Sequence, residues 1–342
     1  MNMLNKKPFI IAEMSGNHNS HIETALKMIE KAKEAGAHAV KLQTYTADTI
    51  TINSHRPEFM IKGGLWDGWN LYELYKKAHT PWEWHPILFQ KAKELDIVIF
   101  SSPFDESAVD FLENLGTPLY KIASFEMCHF PLLQYVAKTK KPIIMSTGMA
   151  SIEEITESVN YLLKYGCEDL TLLHCVSEYP APINSCNLKT IIDLQKLFPT
   201  IRIGLSDHTM GITVPITSIG LGVTVIEKHF TLSRLEGGVD SAFSLEPDEL
   251  KTLCIEAHKA YQALGKVNYK RGLAEQKNKI FRRSIYVTNN IQKGELFTKN
   301  NIQVVRPGLG IEPKYYNDVL GKYATCNIDF ATPLSWDFVE NR

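Results

Sequence analysis

The sequence predicts a (β/α)8 barrel followed by a small β-rich domain, and three observations carry that prediction. Short apolar runs alternate with amphipathic stretches from residue 8 onward, and eight such runs can be counted. The alternation fills roughly 265 residues, the length that eight β-α units require. Beyond it the chain turns polar and basic, then breaks into strand-like runs separated by Gly and Pro.

The eight candidate strands are FIIAEM (9–14), AVKLQT (39–44), IVIFSSP (97–103), LYKIAS (119–124), PIIMSTG (142–148), LTLLHCV (170–176), IRIGLSD (201–207) and VTVIEKHF (223–230). Their near-continuous apolar character suits strands covered on both faces. The first helix is read from IETALKMIEKAKEAG, where Ala25, Met28, Ile29, Ala32 and Ala35 share a face ahead of a stopping Gly36. Further helices are expected at 82–95, 105–115, 131–138, 151–165, 188–197, 213–221 and 247–263. A doubly wound open sheet is the competing reading, because alternation does not by itself prove closure.

One interval breaks the beat. Residues 45–81, between the second and third strands, are rich in aromatics and glycine, and Trp66, Trp69 and nearby Trp84 argue against disorder. The segment is expected either to lie over the barrel mouth or to be a packed excursion. Residues 266–281 read as a linker without a strong apolar stripe, and 282–342 as a compact domain with strand-like SIYVT, IQVVRP and ATCNI. So small a domain is marginal alone and is expected to dock against something.

Composition narrows the function. Of 342 residues, 44% are hydrophobic and 22% charged, ordinary for a globular protein. A net charge near -1 without a Lys/Arg block offers no phosphate-backbone footprint, so nucleic acid is not an expected partner. Six cysteines show no C-x-x-C pair and read as reduced thiols. The apolar run Phe9–Ala12 is too short for a signal peptide. No window approaches the roughly 20 apolar residues of a spanning helix, so neither a membrane nor export is expected and the chain is placed in the cytoplasm.

Barrel chemistry gathers at the C-terminal strand ends. There the sequence places Glu13; Lys41 and Gln43; Ser101 and Ser102; Lys121 and Ser124; Ser146; His174; Asp207 and His208; and Glu227 and His229. Alternation puts Lys41 with Gln43 on one face, and Glu227 with His229. His208 and His229, on neighbouring strands, suit a divalent cation such as Mn2+, Co2+ or Zn2+, or else cap the SDHT turn as structural histidines. Lys41, Lys121, Ser102, Ser124 and Ser146 form the kind of set that holds a phosphate with a carboxylate, although each lysine could equally be an interior ion-pair partner. Glu13 and Glu126 are the candidate acid/base carboxylates, and Glu227 is read as a buried acceptor that orients its neighbours.

Taken in order, IAEMSGNHN (11–19), KLQT (41–44), SSPF (101–104), YKIAS (120–124), STGM (146–149), SEYP (177–180), GLSDHT (204–209) and IEKHF (226–230) resemble the sialic acid synthase family. RRSIYVTNNIQKGELFTKNNIQVVRPGLGI resembles that family's antifreeze-like (SAF) C-terminal domain. The resemblance implies condensation of phosphoenolpyruvate with the open-chain aldehyde of an acetamido sugar, dependent on a divalent metal, with Mn2+ favoured and Mg2+ or Co2+ as alternatives. It assigns His208 and His229 to the metal. It assigns Lys41, Lys121, Ser102, Ser124, Ser146, Ser206 and Tyr179 to phosphoenolpyruvate, and Gln43, Phe104, Glu126 and Asp240 to the sugar and reacting carbons. Arg306, in VRPG, would reach the site of a partner subunit, which implies a domain-swapped homodimer. Ser177, counted with the substrate site, stands where the family typically has Asn. The Trp-rich segment 63–85 resembles the branch that uses 2,4-diacetamido-2,4,6-trideoxy-L-altrose. Legionaminate or N-acetylneuraminate synthesis, and a Schiff-base aldolase built on Lys41, Lys121 or Lys228, are the rival readings.

Overall fold

Eight parallel strands close on themselves in the order β1 to β8, which excludes the doubly wound alternative. The computed structural model describes residues 8–340. The strands are β1 (Phe9–Glu13), β2 (Ala39–Thr44), β3 (Val98–Pro103), β4 (Tyr120–Ile122), β5 (Ile143–Ser146), β6 (Leu170–Cys175), β7 (Arg202–Asp207) and β8 (Val225–His229). β8 returns to β1 with Ile11 opposite Glu227 and Glu13 opposite His229, so the last strand sets its polar end beside the first.

Alternation along these strands builds two cores. Ile10, Ala12, Val40, Leu42, Ile99, Ile143, Leu172, Leu205 and Ile226 face outward into the layer beneath the helices. Phe9, Ile11, Ala39, Phe100, Leu119, Ile144, Leu173 and Val225 fill the barrel interior. Gly204 belongs to that interior, and a Cβ there would lie 2.5 Å from Leu173 Cδ2 and from the Val225 carbonyl. Only a residue without a side chain lets β7 and β8 approach so closely.

The outer ring consists of α1 (Ile22–Ala35) after β1, α4 (His85–Glu94) before β3, then α5 (Glu106–Asn114), α6 (Phe130–Lys138), α7 (Ile152–Lys164), α8 (Thr190–Leu197), α9 (Thr213–Ile219) and α10 (Pro247–Leu264). α1 buries the five expected residues and ends at Gly36, whose φ of 92° is the left-handed conformation glycine favours. α7 starts with a capping box between Ser151 and Glu154.

The long excursion after β2 is ordered. It carries α2 (Ala47–Ile50) and α3 (Leu71–Ala78), with Asn70 capping α3 by accepting from the backbone N–H of Tyr72 and Glu73. Between them Ile61 N–H donates to the Trp69 carbonyl and Gly68 N–H to the Ile61 carbonyl, folding 61–69 into a tight loop.

Two compact units divide the chain between Gly265 and Lys266. The segment read as a linker is exposed along its length but contains a short helix, α11 (Leu273–Lys277), continued by a 3-10 turn over Asn278–Phe281. The second unit has its own core of Ile285, Val287, Phe297, Ile302, Ile311, Val319 and Leu334. Its regular sheet is one antiparallel pair, β9 (Ser284–Val287) with β10 (Ile302–Val305), and α12 (Tyr316–Val319) follows. ATCNI, expected as a strand, makes only isolated bridges, Ala324 to Val339 and Ile328 to Ile291. All six cysteines are free, and among the described residues no helix is long and apolar enough to cross a membrane.

Candidate active site

Each inward row of the barrel changes character near its C-terminal end. Phe9 and Ile11 give way to Glu13, Ala39 to Lys41 and Gln43, Phe100 to Ser102, and Leu119 to Lys121. Ile144 is followed by Ser146, Leu173 by Cys175, Gly204 by Ser206 and His208, and Val225 by Glu227 and His229. The apolar lower layers thus form a floor under a polar upper layer. Above it opens a cavity of about 530 Å³. Ser101, His174, Asp207 and Lys228, which lie in the same strand ends, are on the outward face. Ser101 bonds Thr44, and His174 Nε2 donates to the Cys186 carbonyl at 2.7 Å.

Charge in the polar layer is arranged around two lysines. Lys41 Nζ lies 3.0 Å from Glu13 Oε2 and 3.7 Å from Glu227 Oε1, and donates to Ser102 Oγ at 3.2 Å. Lys121 Nζ is 3.4 Å from that same Glu227 oxygen, to which Ser206 Oγ also donates at 3.2 Å. Burial works to raise the Glu227 pKa, but Lys121 and Lys41 outweigh it and hold the carboxyl below its ordinary value. Burial pushes Glu13 up to about 7 against the pull of Lys41. It does the same to Glu126, also to about 7, against the weaker pull of Lys121. Gln43 Nε2 donates to Glu13 Oε1 at 2.8 Å and to Ser15 Oγ at 3.1 Å, and Ser15 in turn donates to Asp240.

His208 and His229 stand side by side, with ring centroids 5.3 Å apart. His208 Nδ1 donates to the Val176 carbonyl at 2.8 Å, which leaves its Nε2 as a lone-pair donor. Burial holds the His229 imidazole well below its ordinary pKa, in the neutral form. Its Nδ1 is buried without a hydrogen-bond partner among the described residues and lies 3.7 Å from Asp240 Oδ2. Among the described residues no group of three or more His, Cys, Asp or Glu side chains is arranged to hold a metal ion. Burial works to lower the His208 pKa, but neighbouring Cys175 outweighs it and raises it. One imidazole with Nδ1 tied to a carbonyl and a second with an orphaned nitrogen fit a cation that the protein only partly encloses, the remaining positions falling to water and substrate.

The other buried side-chain atoms left without a hydrogen-bond partner among the described residues are Glu126 Oε2, Ser146 Oγ, Ser177 Oγ, Glu227 Oε2 and Glu13 Oε2, the last with only its ion-pair contact to Lys41. All belong to the rim or floor of this cavity or the turn beside it. Buried polar atoms are normally satisfied, so such a cluster points to a polar ligand that completes it.

Thirteen of the sequence-derived site residues line the cavity: Glu13, Lys41, Gln43, Phe104, Lys121, Ser124, Glu126, Ser146, Tyr179, Ser206, His208, His229 and Asp240. Three do not. Ser102 lies beneath Lys41, and Ser177 packs where a Cβ on Gly148 would fall, 2.1 Å from its hydroxyl. Arg306 is an exposed residue of the second unit, directly after β10. The excursion supplies an apolar wall of Ile50, Ile61, Trp66, Leu71, Leu74 and Tyr75. Of the tryptophans singled out in the sequence, only Trp66 faces the cavity, tied by Nε1–H to the Val239 carbonyl at 3.0 Å. Trp69 is exposed beneath Lys77, and Trp84 packs edge-on against His18. Sequence reading missed Ser15 and Cys175. Cys175 was legible as the inward residue two positions beyond Leu173, whereas Ser15 lies past β1 at a φ of 49° that no strand period reveals.

A second concavity of about 480 Å³ borders Gly16, Asn19 and Val239, but its ionisable side chains, His21, Lys77 and Glu236, are exposed. The buried charge that faces open space, and with it the chemistry, belongs to the barrel mouth.

Comparison with known proteins agrees with this geometry. The model of the NeuB family matches residues 28–269, and that of the SAF domain matches 282–340. The chain belongs to the NeuB family. This NeuB-family chain is 45% identical over 331 residues to a pseudaminic acid synthase of Campylobacter jejuni, covering 96% of both proteins. It is 41% identical to an N,N'-diacetyllegionaminic acid synthase of the same species, over 94% of this chain and 97% of that protein. A crystal structure of N-acetylneuraminic acid synthetase from Leptospira borgpetersenii, in complex with citrate, superposes with a TM-score of 0.71 at 32% identity, covering 80% of this chain and 90% of the other.

Proposed function

We propose that the chain is a pseudaminic acid synthase, which condenses phosphoenolpyruvate with 2,4-diacetamido-2,4,6-trideoxy-L-altrose and releases phosphate. One observation carries the reading at this site: two lysines, serines and a set of orphaned buried polar atoms converge at one end of a closed barrel. That set suits a small anion bearing phosphate and carboxylate. The 45% identity to a pseudaminic acid synthase, against 41% to a legionaminic acid synthase, selects the sugar.

Lys41, Lys121, Ser124, Ser146, Ser206 and Tyr179 hold phosphoenolpyruvate in this account, with Ser102 accepting from Lys41 and the unpartnered hydroxyl of Ser177 packed against Gly148 at the edge of the substrate site. Gln43, Phe104 and Asp240 face the sugar. Fixing both reactants in one cavity makes the bond-forming step effectively unimolecular. C3 of phosphoenolpyruvate attacks the aldehyde carbon, water adds to the electron-poor C2, and loss of phosphate leaves the new 2-keto acid, the two protons of the water ending on the new sugar hydroxyl and on the departing phosphate. Glu126 takes the proton of that water. Oε2 of each candidate carboxyl lacks a hydrogen-bond partner, but Glu13 accepts from Gln43 and is ion-paired with Lys41, whereas Glu126 has no ion pair among the described residues. His208 and His229 would hold a divalent cation, Mn2+ in the first instance, which supplies Lewis acidity toward the sugar aldehyde when bound.

The apolar wall of the excursion favours a sugar with a methyl group and two acetamido groups over a more hydroxylated one. Lys228, one of the three lysines a Schiff-base aldolase could use, is fully buried on the outward face and gives that reading no support. Arg306 is assigned to the sugar site of a partner subunit in a domain-swapped homodimer, and the free thiols suit a cytoplasmic enzyme. Mass spectrometry of a reaction containing phosphoenolpyruvate, the altrose sugar and Mn2+ tests the assignment. A nine-carbon diacetamido sugar acid with equimolar phosphate supports it, and unchanged reactants refute it.

A further inference from the structure

Lys228 is a buried charge that this chemistry does not use. It has no exposed surface and points away from the cavity, between the barrel and its helices. Its ammonium donates to Asp207 Oδ2 at 2.5 Å and to the Thr209 carbonyl. Asp207 in turn accepts from the Thr209 backbone N–H at 3.1 Å and from the Thr209 hydroxyl at 3.0 Å. Both neighbours of His208 are therefore held by the side chain that directly precedes His229. The ladder between β7 and β8 ends with Asp207 opposite Lys228, one residue short of both histidines. Beyond that point the two strand ends separate, with the His208 carbonyl accepting from Ala181 N–H and the His229 carbonyl from Leu245 N–H. Nor do the rings set their own spacing, since His208 is bonded to Val176 and His229 Nδ1 has no hydrogen-bond partner among the described residues. A buried ion pair is weak evidence for stability, because an apolar pair of similar volume often serves as well. Its geometric effect is specific.

We propose that the Lys228–Asp207 pair is a positioning device that sets the separation of His208 and His229 for a divalent cation. It acts from the dry outer face, through the residues on either side of His208 and not by a hydrogen bond to either imidazole, and it rests on the metal reading given under Proposed function. The test is calorimetric titration with Mn2+ alone, and separately with phosphoenolpyruvate alone, on the full chain. Wild type is compared with Lys228→Met and with the double variant Asp207→Asn/Lys228→Met. The double variant removes the unpaired carboxylate that could unfold the single one. The expected result is a loss of Mn2+ affinity of roughly 10-fold to 100-fold in the variants, with phosphoenolpyruvate affinity within about 2-fold of wild type. A folded variant that binds Mn2+ as tightly as wild type overturns the proposal, and so does a parallel loss of both ligands, which marks a merely structural pair. A wild-type chain that binds no Mn2+ overturns the metal reading itself.

Discussion

Lys121 Nζ lies 3.4 Å from Glu227 Oε1, the carboxylate oxygen that also faces Lys41 at 3.7 Å. One ionised carboxylate thus serves two buried ammonium groups. With Glu13 raised to about 7, the two lysines outnumber the ionised carboxylates at the strand ends near neutral pH, although burial draws Lys121 below its ordinary pKa. That excess suits a multiply charged anion. Lys121→Met leaves Glu227 paired with Lys41 and removes a charged hydrogen bond to the anion worth about 1.5–3 kcal/mol. Phosphoenolpyruvate should bind roughly 10-fold to 100-fold more weakly by calorimetry. An unchanged affinity would reduce Lys121 to an internal ion-pair partner.

A base must be ionised to accept a proton, and burial holds Glu126 at about 7. kcat/KM should therefore rise as pH climbs toward 7 and level off above it. Glu126→Gln should lower the rate by a factor on the order of 100 or more and remove that limb. A variant that keeps the limb would transfer the role to Glu13, which is also raised to about 7.

Ile61 belongs to the apolar wall. Ile61→Ser should lower kcat/KM for the trideoxy sugar by about 10-fold, the scale of losing one or two methylene contacts. The KM for phosphoenolpyruvate should not move. Equal losses for both substrates would make the wall a structural cover.

Gly148 N–H donates to Ser124 Oγ at 3.1 Å, and a Cβ at Gly148 would fall 2.1 Å from Ser177 Oγ and 2.8 Å from Ser124 Oγ. Gly148→Ala should weaken phosphoenolpyruvate binding by displacing Ser124. Adding Ser177→Ala removes the closer clash and should recover part of that loss. Failure of the double variant to recover would show that Ser177 does not set the turn.

Much of this site was legible because a barrel strand has a period of two. Lys41 with Gln43 and Glu227 with His229 could be paired from spacing alone, and the structure brings both pairs into one cavity. The same rule separates Ser101, His174 and Asp207, which sit in the same strand ends but face outward. The excursion resisted because its lining follows no period. Ile50, Ile61, Leu71 and Leu74 come from two short helices and a loop, while the conspicuous Trp69 and Trp84 pack elsewhere. Lys228 in VIEKHF looked like chemistry and is an outward clamp, a distinction that register reveals and composition does not. ATCNI has strand composition, yet its partners are single bridges.

The most direct measurement is phosphate release from phosphoenolpyruvate, with Mn2+ supplied or chelated, comparing 2,4-diacetamido-2,4,6-trideoxy-L-altrose with N-acetylmannosamine. Metal-dependent release with the altrose sugar, lost in His208→Ala and His229→Ala, is the expected result. Release with N-acetylmannosamine instead, or release with the altrose sugar that chelation leaves unchanged, would contradict it.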